Sequence, residues 1–408
     1  MREYFLVALV TAVVTYLLVP PVRAFALRIG AAPEVRERDV HKVPTPRLGG
    51  LAMFGGMAAG LLVATQLPWV GGALDQQSGQ TAMALLAAGG LIVVTGFLDD
   101  WLGMDALVKL GGQIAAGGLL VYFGVTLRYL PLPSNMGGEL SLDTNLQVVI
   151  TIMIVVVTIN AVNFVDGLDG LAAGIVGIAA LATLVYSMVL SQSLQATRIN
   201  LTAVVASLLI GMCLGFLPHN FNPAKIFMGD TGAMLIGLIL ATSLVTIISS
   251  VPSAALQVNR FPLLLPVLLP VAVMVLPLAD LIMAVVRRTS AGQSPFAPDR
   301  GHLHHRLLDI GHSHRRSVLI MYAWTFLFAF ALVALSVEGV PVEVFPPIIA
   351  VAIAILVLLS RQRWRTTGRN GRGGQHAAHR MPPPADSADT PSGPAAATAT
   401  PRATATTG

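Results

Sequence analysis

Apolar runs of about twenty residues, separated by short stretches that carry nearly all the charge, fill the chain from residue 4 to residue 360. A helix needs about 20 mostly apolar residues to cross the hydrocarbon of a bilayer. Eleven runs meet this condition, near residues 4–22, 48–68, 80–98, 106–125, 145–162, 170–190, 199–217, 231–250, 262–286, 317–336 and 342–360. The expected fold is all-α, a polytopic integral membrane protein of about eleven transmembrane helices. The ninth run holds Pro262, Pro266, Pro270 and Pro277, which predicts a kinked or broken helix because proline lacks the donor a helix needs. Arg23 interrupts the small residues after the first run, so this run reads as a span and not as a cleaved signal. The chain from 361 is rich in Arg and Gly, then in Pro, Ala and Thr, with no apolar periodicity. The expected division is a membrane domain over 1–360 and a disordered tail over 361–408.

Composition strengthens this reading. The 408 residues are 55% hydrophobic and only 11% charged, against about a quarter charged in soluble domains. The net charge of +5 does not point to nucleic acid, because the cations sit in short loops and the tail. One set of loops holds Arg23, Arg28, Arg36, Arg38, Lys42, Arg47, Lys225, Arg287, Arg288, Arg300, Arg306, Arg315 and Arg316, whereas the other has little beyond Arg2, Arg128, Arg198 and Arg260. The positive-inside rule puts the first set in the cytoplasm, the N-terminus outside and the C-terminus inside. The single cysteine, Cys213, excludes an internal disulfide and any multi-cysteine metal site.

Polar residues with chemical potential gather on that same side. Five segments carry them: His41–Gly50, Gly96–Asp100, Asn160–Gly170, Asn222–Gly232 and Pro298–Arg306. Carboxylates at membrane depth are costly and mark function, and Asp99, Asp100, Asp166, Asp169 and Asp230 all fall at inner helix ends. Carboxylate and amide oxygens suit Mg²⁺, which is held by one or two protein ligands and substrate phosphates. Arginine and histidine nearby suit a diphosphate. The combination points to metal-assisted phosphoryl transfer. Each feature taken alone has a plainer reading. The Asp pair is open to being simply solvated. Asp166 and Asp169 suit turn and cap positions. The glycines of spans two to four suit helix packing, and the histidine loop suits a zinc site only if a carboxylate joins it. Asp280 has Arg287 or Arg288 as a pairing partner.

Taken together, the five segments resemble the polyprenyl-phosphate N-acetylhexosamine-1-phosphate transferases, and best the bacterial undecaprenyl- and decaprenyl-phosphate N-acetylglucosamine-1-phosphate transferases. The likeness runs from about residue 4 to 360. It implies that Asn163 and Asp230 bind Mg²⁺, with Mn²⁺ as an alternative. It gives Asp99 and Asp100 the catalytic place beside the lipid phosphate and Lys109 a contact to the nucleotide's diphosphate. Phe227 falls at the uracil, and Asp166, Leu168 and Asp169 fall beside the nucleoside. Lys42, Arg300, His302, His304, His305 and Arg306 fall at substrate-binding loop positions. The implied partners are UDP-N-acetylglucosamine, a polyprenyl phosphate in the plasma membrane and a second copy of the chain as a homodimer. Some members carry a third acidic residue just behind the Asp pair; here the next is Asp105, whose role stays open.

Two other functions fit less well. The phospho-N-acetylmuramoyl-pentapeptide transferases usually show three consecutive histidines where this chain has His302-Leu303-His304-His305. A transporter would place polar groups near the bilayer midplane, and these span centres are almost free of charge.

Overall fold

The computed structural model describes residues 1–31, 45–75, 80–131, 139–194, 200–250 and 313–335, with short pieces at 289–290, 346–347, 350–351 and 353–354. The ninth predicted span, most of the eleventh, the tail, Asp280, Lys42 and the Arg300–Arg306 loop with its histidines lie outside the described residues.

Helices account for nearly all of the described chain: α1 (Arg2–Arg28), α2 (Gly49–Ala64), α3 (Pro68–Asp75), α4 (Gln80–Leu102), α5 (Ala106–Tyr122), α6 (Thr144–Val165), α7 (Leu171–Leu194), α8 (Asn200–Asn220), α9 (Gly229–Ser250) and α10 (His314–Leu335). Among the described residues, seven are long and apolar enough to cross a membrane, while α2 and α5 are shorter apolar helices. All nine answer to predicted runs. Two features were not expected. The short helix α3 starts on Glu3, whose Oε2 accepts hydrogen bonds from the Trp69 and Val70 N–H groups at 3.0 and 2.9 Å. Between α5 and α6, β1 (Tyr129–Pro131) pairs antiparallel with β2 (Glu139–Ser141).

The packing is that of a membrane bundle, with small and hydroxyl residues inside and apolar residues facing out. Helix α1 buries Val7, Thr11, Thr15 and Val19 and exposes Phe5, Leu9, Val13 and Leu17. Thr11 and Thr15 lie against Gly56 and Gly60 of α2 and Gly211 and Gly215 of α8, where no larger side chain would fit. This packing carries α1 to Arg28 through Pro20 and Pro21, beyond the apolar run that ended the predicted span.

Helix α9 is the hub. It packs against α2, α4, α6 and α8 and is buried along almost its whole length. Its hydroxyls are satisfied locally: Thr242 donates to the Leu238 carbonyl and Ser243 to that of Ile239. Thr202 of α8 donates across to Thr246 at 3.1 Å. A helix this deep is fixed in position by its neighbours, and its N-terminus therefore forms a rigid platform at one end of the bundle.

Candidate active site

At that end, among the described residues, the connections α4–α5, α6–α7 and α8–α9 and the residues just before α2, Thr45 to Leu48, contribute to one cluster. The two aspartates that close α4 have different environments. Asp99 points sideways: Oδ1 accepts from the Met104 N–H at 3.0 Å and Oδ2 pairs with the Lys109 ammonium at 2.7 Å. Lys109, in the first turn of α5, also pairs with Asp230 in the first turn of α9. One ammonium thus bridges two carboxylates from different helices.

Asp100 is turned into the start of α9. Its Oδ1 accepts from the Asp230 N–H at 3.0 Å, and its Oδ2 accepts from the Thr231 N–H at 3.0 Å and the Thr231 hydroxyl at 2.6 Å. These N–H groups are among the four that a helix start leaves unpaired, so Asp100 caps α9 from another helix. Gly229 must be glycine here: its φ is +68° and a Cβ would run into the Asp100 carboxylate. The sequence reading paired Asp99 and Asp100 as equals at the lipid phosphate. The structure separates them, with Asp99 at the cluster and Asp100 holding Asp230 in place. Asp105, left open by the sequence, is the N-cap of α5 and accepts from the Leu107 N–H at 2.8 Å.

The turn after α6 is braced on three sides. Asp169 is buried, and its Oδ2 accepts from Asn222 Nδ2 at 2.9 Å and the Ala224 N–H at 3.1 Å. The Gly170 N–H donates to Asn220 Oδ1 at 3.0 Å, and the Tyr322 hydroxyl donates to the Gly170 carbonyl. The Leu168 side chain is in the apolar core. Leu168 and Asp169 therefore support the turn, whereas Asp166 lies within the field of the Asp230 and Asp100 carboxylates. Loss of water pushes the Asp166 carboxyl up to about 8, and the Asp230 and Asp100 carboxylates add to this while Arg47 opposes it.

The α1–α2 turn and the α8–α9 loop are tied by backbone. The Phe227 N–H donates to the Pro46 carbonyl at 2.9 Å, Gly49 N–H donates to the Phe227 carbonyl at 3.0 Å and Gly50 N–H to that of Met228 at 3.2 Å. Leu48 takes the left-handed conformation at φ 85°, a cost offset by burying its side chain with Ala26 and Ala31. This leaves Arg47 exposed, with its guanidinium in the field of Asp100 and Asp166. Phe227 is half-buried beside this tie.

Asn163, in the last turn of α6, lines a cavity of about 530 Å³ with Met104, Ala106, Lys109, Leu110, Gln113, Asn160 and Phe164. Leu107, Val108, Leu110 and Ile114 of α5 and Val157 and Phe164 of α6 are exposed along the same flank, so the cavity opens towards apolar surroundings. The structure thus brings Asp99, Lys109, Asn163, Asp166 and Asp230 together. The sequence reading missed Arg47, Gln113 and Asn160. Arg47 and Asn160 lay within singled-out segments, and only tertiary contacts mark Gln113.

The donor set fits Mg²⁺. Among the described residues no three His, Cys, Asp or Glu side chains converge as a ready-made cage, and Mg²⁺ does not need one, since it takes few protein ligands and keeps water and phosphate. Asp99 and Asp230 already share one cation, the Lys109 ammonium, and Asn163, which lines the cavity with Lys109, carries an amide oxygen.

Comparison with known proteins gives the same direction. The model of the family described as glycosyl transferase family 4 matches residues 82–248. A decaprenyl-phosphate N-acetylglucosaminephosphotransferase of Mycolicibacterium smegmatis is 46% identical over 81% of this chain and 81% of its own length. The protein of that name from Mycobacterium tuberculosis is 45% identical over 81% and 82%. A probable undecaprenyl-phosphate N-acetylglucosaminyl 1-phosphate transferase of Bacillus subtilis is 32% identical over 83% and 87%. Identity at this level over most of both chains, with Asp99, Lys109, Asn163, Asp166 and Asp230 inside the match to the family model, shows that this membrane protein belongs to the polyprenyl-phosphate N-acetylhexosamine-1-phosphate transferase family.

Proposed function

We propose that the chain transfers N-acetylglucosamine-1-phosphate from UDP-N-acetylglucosamine to a polyprenyl phosphate, decaprenyl or undecaprenyl, and releases UMP, as the first membrane step of an envelope polysaccharide. The observation that carries this reading is the Asp99–Lys109–Asp230 bridge at the wall of a cavity that opens on an apolar flank. A lipid carrier needs such a flank for its chain and a charged end for its phosphate. In the reaction a phosphate oxygen of the carrier bonds to the phosphorus that bears the sugar, and the bond from that phosphorus to UMP breaks.

Asp230 and Asn163 would hold Mg²⁺, or Mn²⁺ in its place. When bound, the metal neutralises charge on the diphosphate. Lys109 supplies a second positive charge beside it, and Asp99 orients that ammonium. Asp99 also faces the acceptor side, where it orients the carrier phosphate or takes its remaining proton. Asp100 keeps Asp230 on the α9 platform. Arg47 supplies a further cation at the rim for phosphate oxygens. Asp166 and Phe227 flank the nucleoside, and the Arg300–Arg306 loop with His302, His304 and His305, together with Lys42, reads sugar and diphosphate. The site faces the cytoplasm, where UDP-sugars are made.

The test is UMP release by purified protein with polyprenyl phosphate, a panel of UDP-sugars and EDTA or Mg²⁺. Release is expected with UDP-N-acetylglucosamine, lost in EDTA and restored by Mg²⁺. Preferred use of UDP-N-acetylmuramoyl-pentapeptide in direct competition would move the protein to the sister branch, and activity that survives EDTA would remove the metal.

A further inference from the structure

One helical turn below the cluster lies a second polar layer. Gln113 is 1% exposed, and a buried amide is costly unless it is bonded. Its Oε1 accepts from Asn160 Nδ2 at 2.6 Å, and its Nε2 donates to the Met234 sulfur at 3.6 Å. Asn160 Nδ2 also donates to the Val156 carbonyl at 2.8 Å. Each member of this layer stands one turn from a site residue on the same helix: Gln113 from Lys109, Asn160 from Asn163 and Met234 from Asp230.

The layer has a direction. A thioether sulfur only accepts, so the Gln113 NH₂ faces Met234 and its oxygen faces Asn160. That oxygen and the Val156 carbonyl are both acceptors, so they take the two N–H hydrogens of Asn160. The reversed amide would set an oxygen against two oxygens. Asn160 Oδ1 is left without a donor among the described residues, and Asn160 lines the cavity with Lys109 and Asn163.

We propose that Gln113 is a positioning residue, which locks Asn160 so that an acceptor oxygen and not an NH₂ group faces the cation-binding cavity. An oxygen there favours an ammonium or a hydrated metal ion, whereas an NH₂ group would repel it. The inference rests on the proposed function for its turnover readout and on the proposed metal site for the Mg²⁺ and UMP used in the second.

The experiment is a double-mutant cycle with Gln113→Met, which keeps the volume, and Gln113→Asn, which keeps the amide but shortens it. Each is made alone and with Asn160→Ala. UMP release and the shift of the unfolding midpoint on adding Mg²⁺ and UMP are both measured, the second being readable in inactive variants. Gln113→Met alone is expected to lower turnover roughly tenfold to a hundredfold. In the Asn160→Ala background it is expected to add less than about twofold to either readout, because the residue acts through Asn160. Losses that add in full would show that Gln113 only packs, and would overturn the proposal. A wild-type protein that releases no UMP from any UDP-sugar would sink the proposed function instead, while the midpoint cycle would still decide the role of Gln113.

Discussion

A carboxylate with three acceptor contacts to one helix start has little left to offer a substrate, and Asp100 is in this position. Asp99, beside it, spends one oxygen on a loop N–H and the other on Lys109. Their substitutions should therefore fail differently. Asp100→Ala removes a cap, which costs about 1–2 kcal/mol, and should lower the unfolding midpoint in detergent as well as turnover. Asp99→Asn should keep the midpoint and lose about two orders of magnitude in turnover. An unchanged midpoint in Asp100→Ala would refute the capping role. The two residues look alike in the sequence because the cap joins positions 130 residues apart. Asp166 gives a second contrast. Folding lifts its carboxyl from 3.8 to about 8, so the folded protein holds a proton that the unfolded chain has released. Stability then falls as pH rises between these two values and levels off above the higher one. In EDTA and without substrates, Asp166→Asn should lack this part of the slope. Midpoints measured against pH for both proteins check it, and equal slopes would contradict the shift.

Helices place these residues, and close backbone contacts place the helices. Gly50 at the start of α2 meets the backbone of Thr231 and Gly232, so that a Cβ there would overlap main-chain atoms that cannot move aside. Gly50→Ala should push the start of α9, and Asp230 with it, out of line. Overpacking of this kind costs about 1–3 kcal/mol, so a lower midpoint and a loss of activity are expected. Gly118→Ala in α5, where the added carbon meets nothing within 4 Å, is the control and should behave as wild type. Comparable midpoints for the two variants would show that the α2–α9 contact has room for a methyl group. At this scale the sequence is informative about spans, because a long apolar run reports directly on burial in lipid. It predicted all nine of the apolar helices described here. It was silent on α3 and on the β1–β2 hairpin, which are short and hang on remote contacts such as Glu3 with Trp69 and Val70. It also ended the first span too early, since hydropathy drops at Arg23 while packing carries the helix to Arg28.

At the scale of the whole molecule the candidate residues lie at one end of the bundle because the helices alternate in direction. Asp99 closes α4, Lys109 and Asp230 open α5 and α9, and Asn163 closes α6. That much was legible as a periodic return of acidic and amide residues every second loop, and the family likeness added their roles. The depth of α9, and the use of Asp100, Asp169 and Gln113 as internal ties, were not legible, because each depends on a partner far along the chain. The same alternation makes the orientation testable. Arginines crowd the loops at the site end, so the positive-inside rule predicts that the site faces the cytoplasm and the β1–β2 hairpin the outside. Cys213 is buried and gives a silent background for surface labelling. Lys225→Cys puts a thiol on the exposed α8–α9 loop, and Leu140→Cys puts one on the hairpin, where Leu140 is 49% exposed. In intact cells a membrane-impermeant maleimide should label Leu140→Cys and spare Lys225→Cys, and permeabilisation should open Lys225→Cys to the reagent. Both carry their cysteines away from the bridge of Asp99, Lys109 and Asp230, so UMP release can be followed in the same preparations. The opposite labelling would place the site outside, away from the cytoplasmic nucleotide sugar, and the choice of donor would fall with the topology.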